Sequence, residues 1–62
     1  MLTIKIDTGN AAYFDEDGDF RPEEELARNL RYVIRRLEDG ATSGVIHDVN
    51  GNKVGSFNLT DS

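Results

Sequence analysis

The chain has 62 residues and no cysteine, which leaves room for one thin core and excludes both a disulfide framework and a thiolate zinc site. Twelve acidic residues face seven basic ones, a formal net charge of −5. Eight of those acids, against the single Arg21, fall between Asp7 and Glu25, so that stretch carries −7 and the remainder is close to neutral. A field of this sign repels nucleic acid and lipid head groups and speeds encounter with a basic protein surface; the same charge also keeps a small domain soluble.

Leu2, Ile4 and Ile6 alternate with Thr3, Lys5 and Asp7, the period of a strand with one buried face. Asp7-Thr8-Gly9-Asn10 are turn formers and end it. Ala11 to Phe14 is the longest unbroken apolar run, far short of a membrane span, and Met1 leads into the alternating segment without a basic leader. The expectation is a soluble cytoplasmic protein. Asp15 to Asp19 reads as an exposed acidic loop around Gly18.

Pro22 suits the first position of a helix, and Glu23, Glu24 and Glu25 complement the positive end of its dipole. At about 100° per residue, Leu26, Ala27, Leu30, Val33, Ile34 and Leu37 share one arc. Leu26, Leu30, Val33 and Leu37 are expected to pack on a sheet. Glu24, Arg28, Arg31, Arg35 and Asp39 fall opposite, and Gly40 is the natural C-terminal cap. Glu24 stands four residues before Arg28 and Asp39 four after Arg35, so acids on the same face answer part of the arginine stripe.

From Gly44 to Leu59 the pattern is strand, Asn50-Gly51 turn, strand. A two-residue turn puts Val45, His47, Val49 and Val54 on one face and Ile46, Phe57 and Leu59 on the other. A type I turn beginning at Asp48, with Gly51 as a left-handed bulge residue, brings Ile46 opposite Val54. Pattern alone leaves both open. The sum is one α+β domain over residues 1–62 in the order β-α-β-β, a three-stranded antiparallel or mixed sheet with one helix on one face and no internal repeat.

Few side chains suggest chemistry. Asp15, Asp17 and Asp19 imitate the start of a calcium loop, but counting from Asp15 the glycine position holds Phe20 and the glutamate position holds Leu26. His47 is the only histidine and has no second ligand; Asp48 beside it points to the opposite strand face. No nucleophile motif or phosphate-binding glycine loop is present, and a thin sheet offers no deep pocket for a perturbed carboxylate. Metal, cofactor, catalytic activity and direct nucleic-acid binding are therefore not expected. The residues expected to meet a partner are Asp15, Glu16, Asp17, Asp19, Glu23, Glu24 and Glu25, the partner is a basic protein surface, and a monomer is favoured over a dimer.

Thr8-Gly9-Asn10-Ala11-Ala12-Tyr13-Phe14, Leu26-Ala27-Arg28-Asn29-Leu30-Arg31, Leu37-Glu38-Asp39-Gly40 and Asp48-Val49-Asn50-Gly51-Asn52-Lys53-Val54-Gly55 together resemble a group of small phage and prophage proteins. Those proteins open with a T-x-N-A-A-aromatic stretch, continue with an A-R-x-L-R helix and an L-E-x-G stop, and close with a D-x-N-G-N-x-V-G hairpin. The likeness spans most of the chain, but Asp15 to Arg21 is longer and more acidic. Small acidic phage proteins of this kind include anti-CRISPR inhibitors. The resemblance implies an inhibitor of a type I CRISPR surveillance complex in the host bacterial cytoplasm, its partner a DNA-binding Cas subunit. Carboxylates at every second residue of an extended loop fall about 6.6 Å apart, close to twice the phosphate spacing of one DNA strand. The competing reading is an accessory or structural phage protein that binds through a sheet edge or the Tyr13 and Phe14 patch. A calcium- or nucleic-acid-binding module is the third.

Overall fold

The computed structural model describes residues 1–61 and contains three strands, a single 3-10 turn and one α-helix. They are β1 (Leu2–Ile6), the 3-10 turn Ala11–Tyr13, α1 (Glu23–Glu38), β2 (Ser43–His47) and β3 (Lys53–Leu59). The sheet order is β1-β3-β2, and β3 is antiparallel to both neighbours. β1 and β2 are consequently parallel to each other, joined through α1 in a split crossover with β3 inserted between them. The class is α+β with an antiparallel sheet.

Pairing fixes the two faces. Thr3, Asn58 and Ser43 make one cross-strand row, and Lys5, Ser56 and Val45 another; all six are exposed, as on the solvated side of an antiparallel sheet. The inner face carries Ile4, Phe57 and Gly44, then Ile6, Gly55 and Ile46. Register shifts between Ile46 and His47, because Ile46 pairs with Gly55 and His47 with Lys53, leaving Val54 as the extra residue. This bulge changes the phase of β3. Val54 and Phe57, three residues apart, both turn inward and join Tyr13, Val33 and Ile46 in the buried core. Gly55 lies where β1 crosses so closely that a Cβ would sit 1.9 Å from the Lys5 carbonyl oxygen.

Of the two hairpin turns compatible with the sequence, the structure contains the one that begins at Asp48, but the bulge at Val54 sets Ile46 opposite Gly55 and not opposite Val54 as that turn alone would. Gly51 N–H donates to the Asp48 carbonyl at 3.0 Å, Asp48 N–H to the Asn52 carbonyl at 2.9 Å, and Gly51 adopts φ 83°. The acidic segment has the same construction. Gly18 N–H donates to the Asp15 carbonyl at 3.0 Å, Asp15 N–H to the Asp19 carbonyl at 2.9 Å, and Gly18 adopts φ 82°. In each copy the leading carboxylate accepts two backbone N–H groups: Asp17 and Asp19 on Asp15 Oδ1 at 2.9 Å each, Asn50 and Asn52 on Asp48 Oδ1 at 2.9 and 2.8 Å. The chain thus repeats one five-residue turn, Asp-x-Asp/Asn-Gly-Asp/Asn, where no repeat was expected. Nor does the acidic loop run extended: it closes on itself, so the even step of about 6.6 Å along an extended strand does not apply to its carboxylates.

The helix begins one residue later than Pro22, which serves as N-cap. It ends in a Schellman pair, with Gly40 N–H on the Leu37 carbonyl and Ala41 N–H on the Arg36 carbonyl, and Gly40 at φ 89°. Its inward face differs from the apolar arc. Glu25, Asn29 and Val33 are buried, Leu26 and Leu37 are partly buried against the core, and Leu30 and Ile34 remain 43% and 54% exposed. The expectation that Leu30 packs on the sheet is corrected: the helix is turned so that its Glu25-Asn29-Val33 line faces inward, for the reason given next.

Candidate functional site

Two polar assemblies flank the start of α1. The first is buried. Tyr13 Oη donates to Asn29 Oδ1 at 2.7 Å, and Asn29 Nδ2 points to Glu25 Oε2 and the His47 carbonyl, both at 3.4 Å. Arg28 clamps Glu25 with two hydrogen bonds, Nε to Oε1 at 2.9 Å and Nη2 to Oε2 at 2.7 Å, and Nη2 also reaches the His47 carbonyl at 3.2 Å. Val49 N–H completes the set on Glu25 Oε2 at 3.1 Å. Among the described residues, no buried side-chain polar atom lacks a hydrogen-bond partner. The network ties the crossover, the helix and the end of β2 together, and it rotates the helix away from its apolar arc.

Its ionisations follow from this geometry. The Arg28 guanidinium, through its hydrogen bonds, holds the Glu25 carboxyl below its ordinary value against the opposing effect of burial. Arg28 is raised in return by Glu25. Burial raises the Tyr13 phenol, with the Glu25 charge adding to it. Burial also works to raise Asp48, but the Asn52 and Asn50 hydrogen bonds win and the carboxyl is lowered.

The second assembly is the surface. Of the seven acids expected to meet a partner, Asp15, Glu16, Asp17, Asp19, Glu23 and Glu24 are exposed. Glu25 is not: at 8% exposure, with both carboxylate oxygens engaged, it is a structural anion and leaves the surface set. Arg28 pairs with Glu25, three residues before it, and not with Glu24 as the helical spacing suggested. Phe14 and Phe20 bridge across the acidic hairpin with ring centroids 5.3 Å apart, both side chains substantially exposed. Arg21 Nε lies 3.7 Å from Asp15 Oδ2. Between hairpin and helix runs an open cleft of about 690 Å³, lined by Ala12, Phe14 and Ala27 with Glu23, Glu24 and Arg31 among the charged groups at its sides.

Asp15 therefore has two duties, since one oxygen caps its own turn. No three His, Cys, Asp or Glu side chains among the described residues come together as a metal-binding group. His47 is exposed, and it is its backbone carbonyl that enters the network. The sequence reading missed Asn29, whose signal was its position four residues from both Glu25 and Val33, and Asp48, whose signal was its match to Asp15. No helix among the described residues is long and apolar enough to cross a membrane.

Comparison with protein-family models, with curated proteins and with solved structures finds no match to this chain.

Proposed function

We propose that the protein is a non-enzymatic inhibitor that binds a basic, nucleic-acid-binding protein surface through the acidic hairpin and the first turn of α1. The contact residues are Asp15, Glu16, Asp17, Asp19, Glu23 and Glu24. The resemblance to small phage proteins supplies the particular target, a DNA-binding surface of a type I CRISPR surveillance complex, and the bacterial cytoplasm as the place of action.

One observation carries the reading. The chain builds the same turn twice, and where the first copy has Asp17 and Asp19 the second has Asn50 and Asn52 with the same backbone hydrogen bonds. The fold of the turn does not require those two charges. Their presence in the same hairpin as Glu16, across the cleft from Glu23 and Glu24, concentrates negative charge around the hairpin and the start of α1, with the exposed Phe14 and Phe20 rings flanking the turn. Charge that folding does not need, placed on a rigid support, suits recognition of lysine and arginine side chains.

The test is competition for DNA. The purified protein is titrated into a surveillance complex bound to labelled target DNA, in parallel with the double variant Asp17→Asn, Asp19→Asn. Displacement by the parent protein that weakens with salt, and loss of displacement by a fully folded variant, is the expected outcome. Equal displacement by both proteins removes the hairpin as the contact, and no displacement by either removes the target.

A further inference from the structure

We infer that the outer face of α1, centred on Leu30 and Ile34, is the contact surface for a second copy of this chain in a two-fold, antiparallel helix pair. This goes beyond the acidic surface: the stripe is centred further along the helix and shares Ala27 and Arg31 with the cleft beside the acidic hairpin.

The first observation is the rotation of α1. A polar Asn29 is 1% exposed while Leu30 is 43% and Ile34 54% exposed, although all three sit on one sixteen-residue helix over a core of only five buried apolar side chains. A self-sufficient monomer gains by the opposite arrangement. The second is spacing. Ala27, Leu30, Ile34 and Leu37 recur at intervals of three, four and three, the narrow stripe by which helices pair rather than the wide arc by which one helix covers a sheet. Leu26 and Val33 border that stripe on the core side, so the exposed seam continues into the molecule's own core.

The third observation is charge. Arg31 and Glu38 lie on the outer border of the stripe, one on each side of Ile34 along the helix, and among the described residues no ion pair involves either of them. When two helices run antiparallel about a two-fold axis near Ile34, Arg31 of each copy faces Glu38 of the other, and Leu30 meets Leu37. An isologous contact of this kind satisfies both charges twice. The fourth is surface. A monomer of 6.9 kDa is expected to expose about 4,000 Å², whereas this chain exposes 4490 Å². Its radius of gyration is 12.5 Å, against about 10.6 Å for a compact chain of this length. The elongated shape, 42 × 20 × 17 Å, contributes to both excesses; a surplus of this order is what a small, concentration-dependent interface removes from each partner.

Sedimentation equilibrium on the full chain tests the inference. The parent protein is expected to pass from monomer to dimer with rising concentration. Ile34→Glu should remain monomeric while keeping the parent's circular dichroism. Two surface variants guard against a folding defect: Arg31→Glu and Glu38→Arg should each weaken the dimer about threefold to tenfold, and their combination should restore it. A parent chain that stays monomeric up to its solubility limit overturns the inference, as does a dimer that survives Ile34→Glu or a double exchange that fails to restore association.

Discussion

The Tyr13 phenol, wholly buried, donates a 2.7 Å hydrogen bond to Asn29 Oδ1 and so locks the crossover segment to the middle of α1. Tyr13→Phe keeps the ring and removes the donor, leaving a buried amide oxygen unsatisfied. The expected cost is about 1–3 kcal/mol, a large share of the roughly 3–9 kcal/mol that a chain of this length can hold. Urea titration of the two proteins measures it, and equal midpoints would show that the bond contributes nothing.

The rotation of the helix makes a second prediction. Val33 is 2% exposed and Leu30 43%. Val33→Ala should therefore destabilise by about 2 kcal/mol, while Leu30→Ala, although it deletes more carbon, should cost under about 1 kcal/mol in the monomer. The order of the two melting temperatures at low protein concentration checks the assignment.

Glu25 gives the pH dependence. Its folded carboxyl titrates below the unfolded value because Arg28 hydrogen-bonds to the ionised form. The stability this contributes is present above the ordinary glutamate range and is lost as pH falls through the lower, folded value. Glu25→Gln should thus cost about 1 kcal/mol at neutral pH, allowing for the half-exposed Arg28, and the gap between variant and parent should close in acid. Denaturation midpoints across the acid range report it; a gap independent of pH would assign the cost to packing alone.

The repeated turn predicts a matched pair of outcomes. Asp48→Asn retains an oxygen for the Asn50 and Asn52 N–H groups and should keep the hairpin, whereas Asp48→Ala strips both bonds and should not. The same contrast should hold for Asp15→Asn against Asp15→Ala in the acidic copy. Amide exchange at Asn52 and Asp19 separates the variants, and equal protection in all four would remove the carboxylates from the turn.

The sequence by itself determined the element order, the helix from its glutamate-rich start to its Gly40 stop, and the position of the hairpin. Each of these depends on neighbours in the chain: alternation, capping and turn chemistry act over a few residues. It also held the repeated turn, legible once Asp15 to Asp19 is set beside Asp48 to Asn52. Tertiary structure decided what local pattern leaves degenerate. The bulge at Val54 chose the register, because only a change of phase lets Val54 and Phe57 both reach the core. The angle of α1 was decided by Tyr13, the His47 carbonyl and the Val49 N–H, groups distant in sequence that together bury Asn29 and Glu25 and leave Leu30 and Ile34 outside. Whether an acid at the head of a helix serves solvent or the interior depends on which backbone donors the fold brings to it, and for Glu25 that donor is the Val49 N–H, 24 residues away.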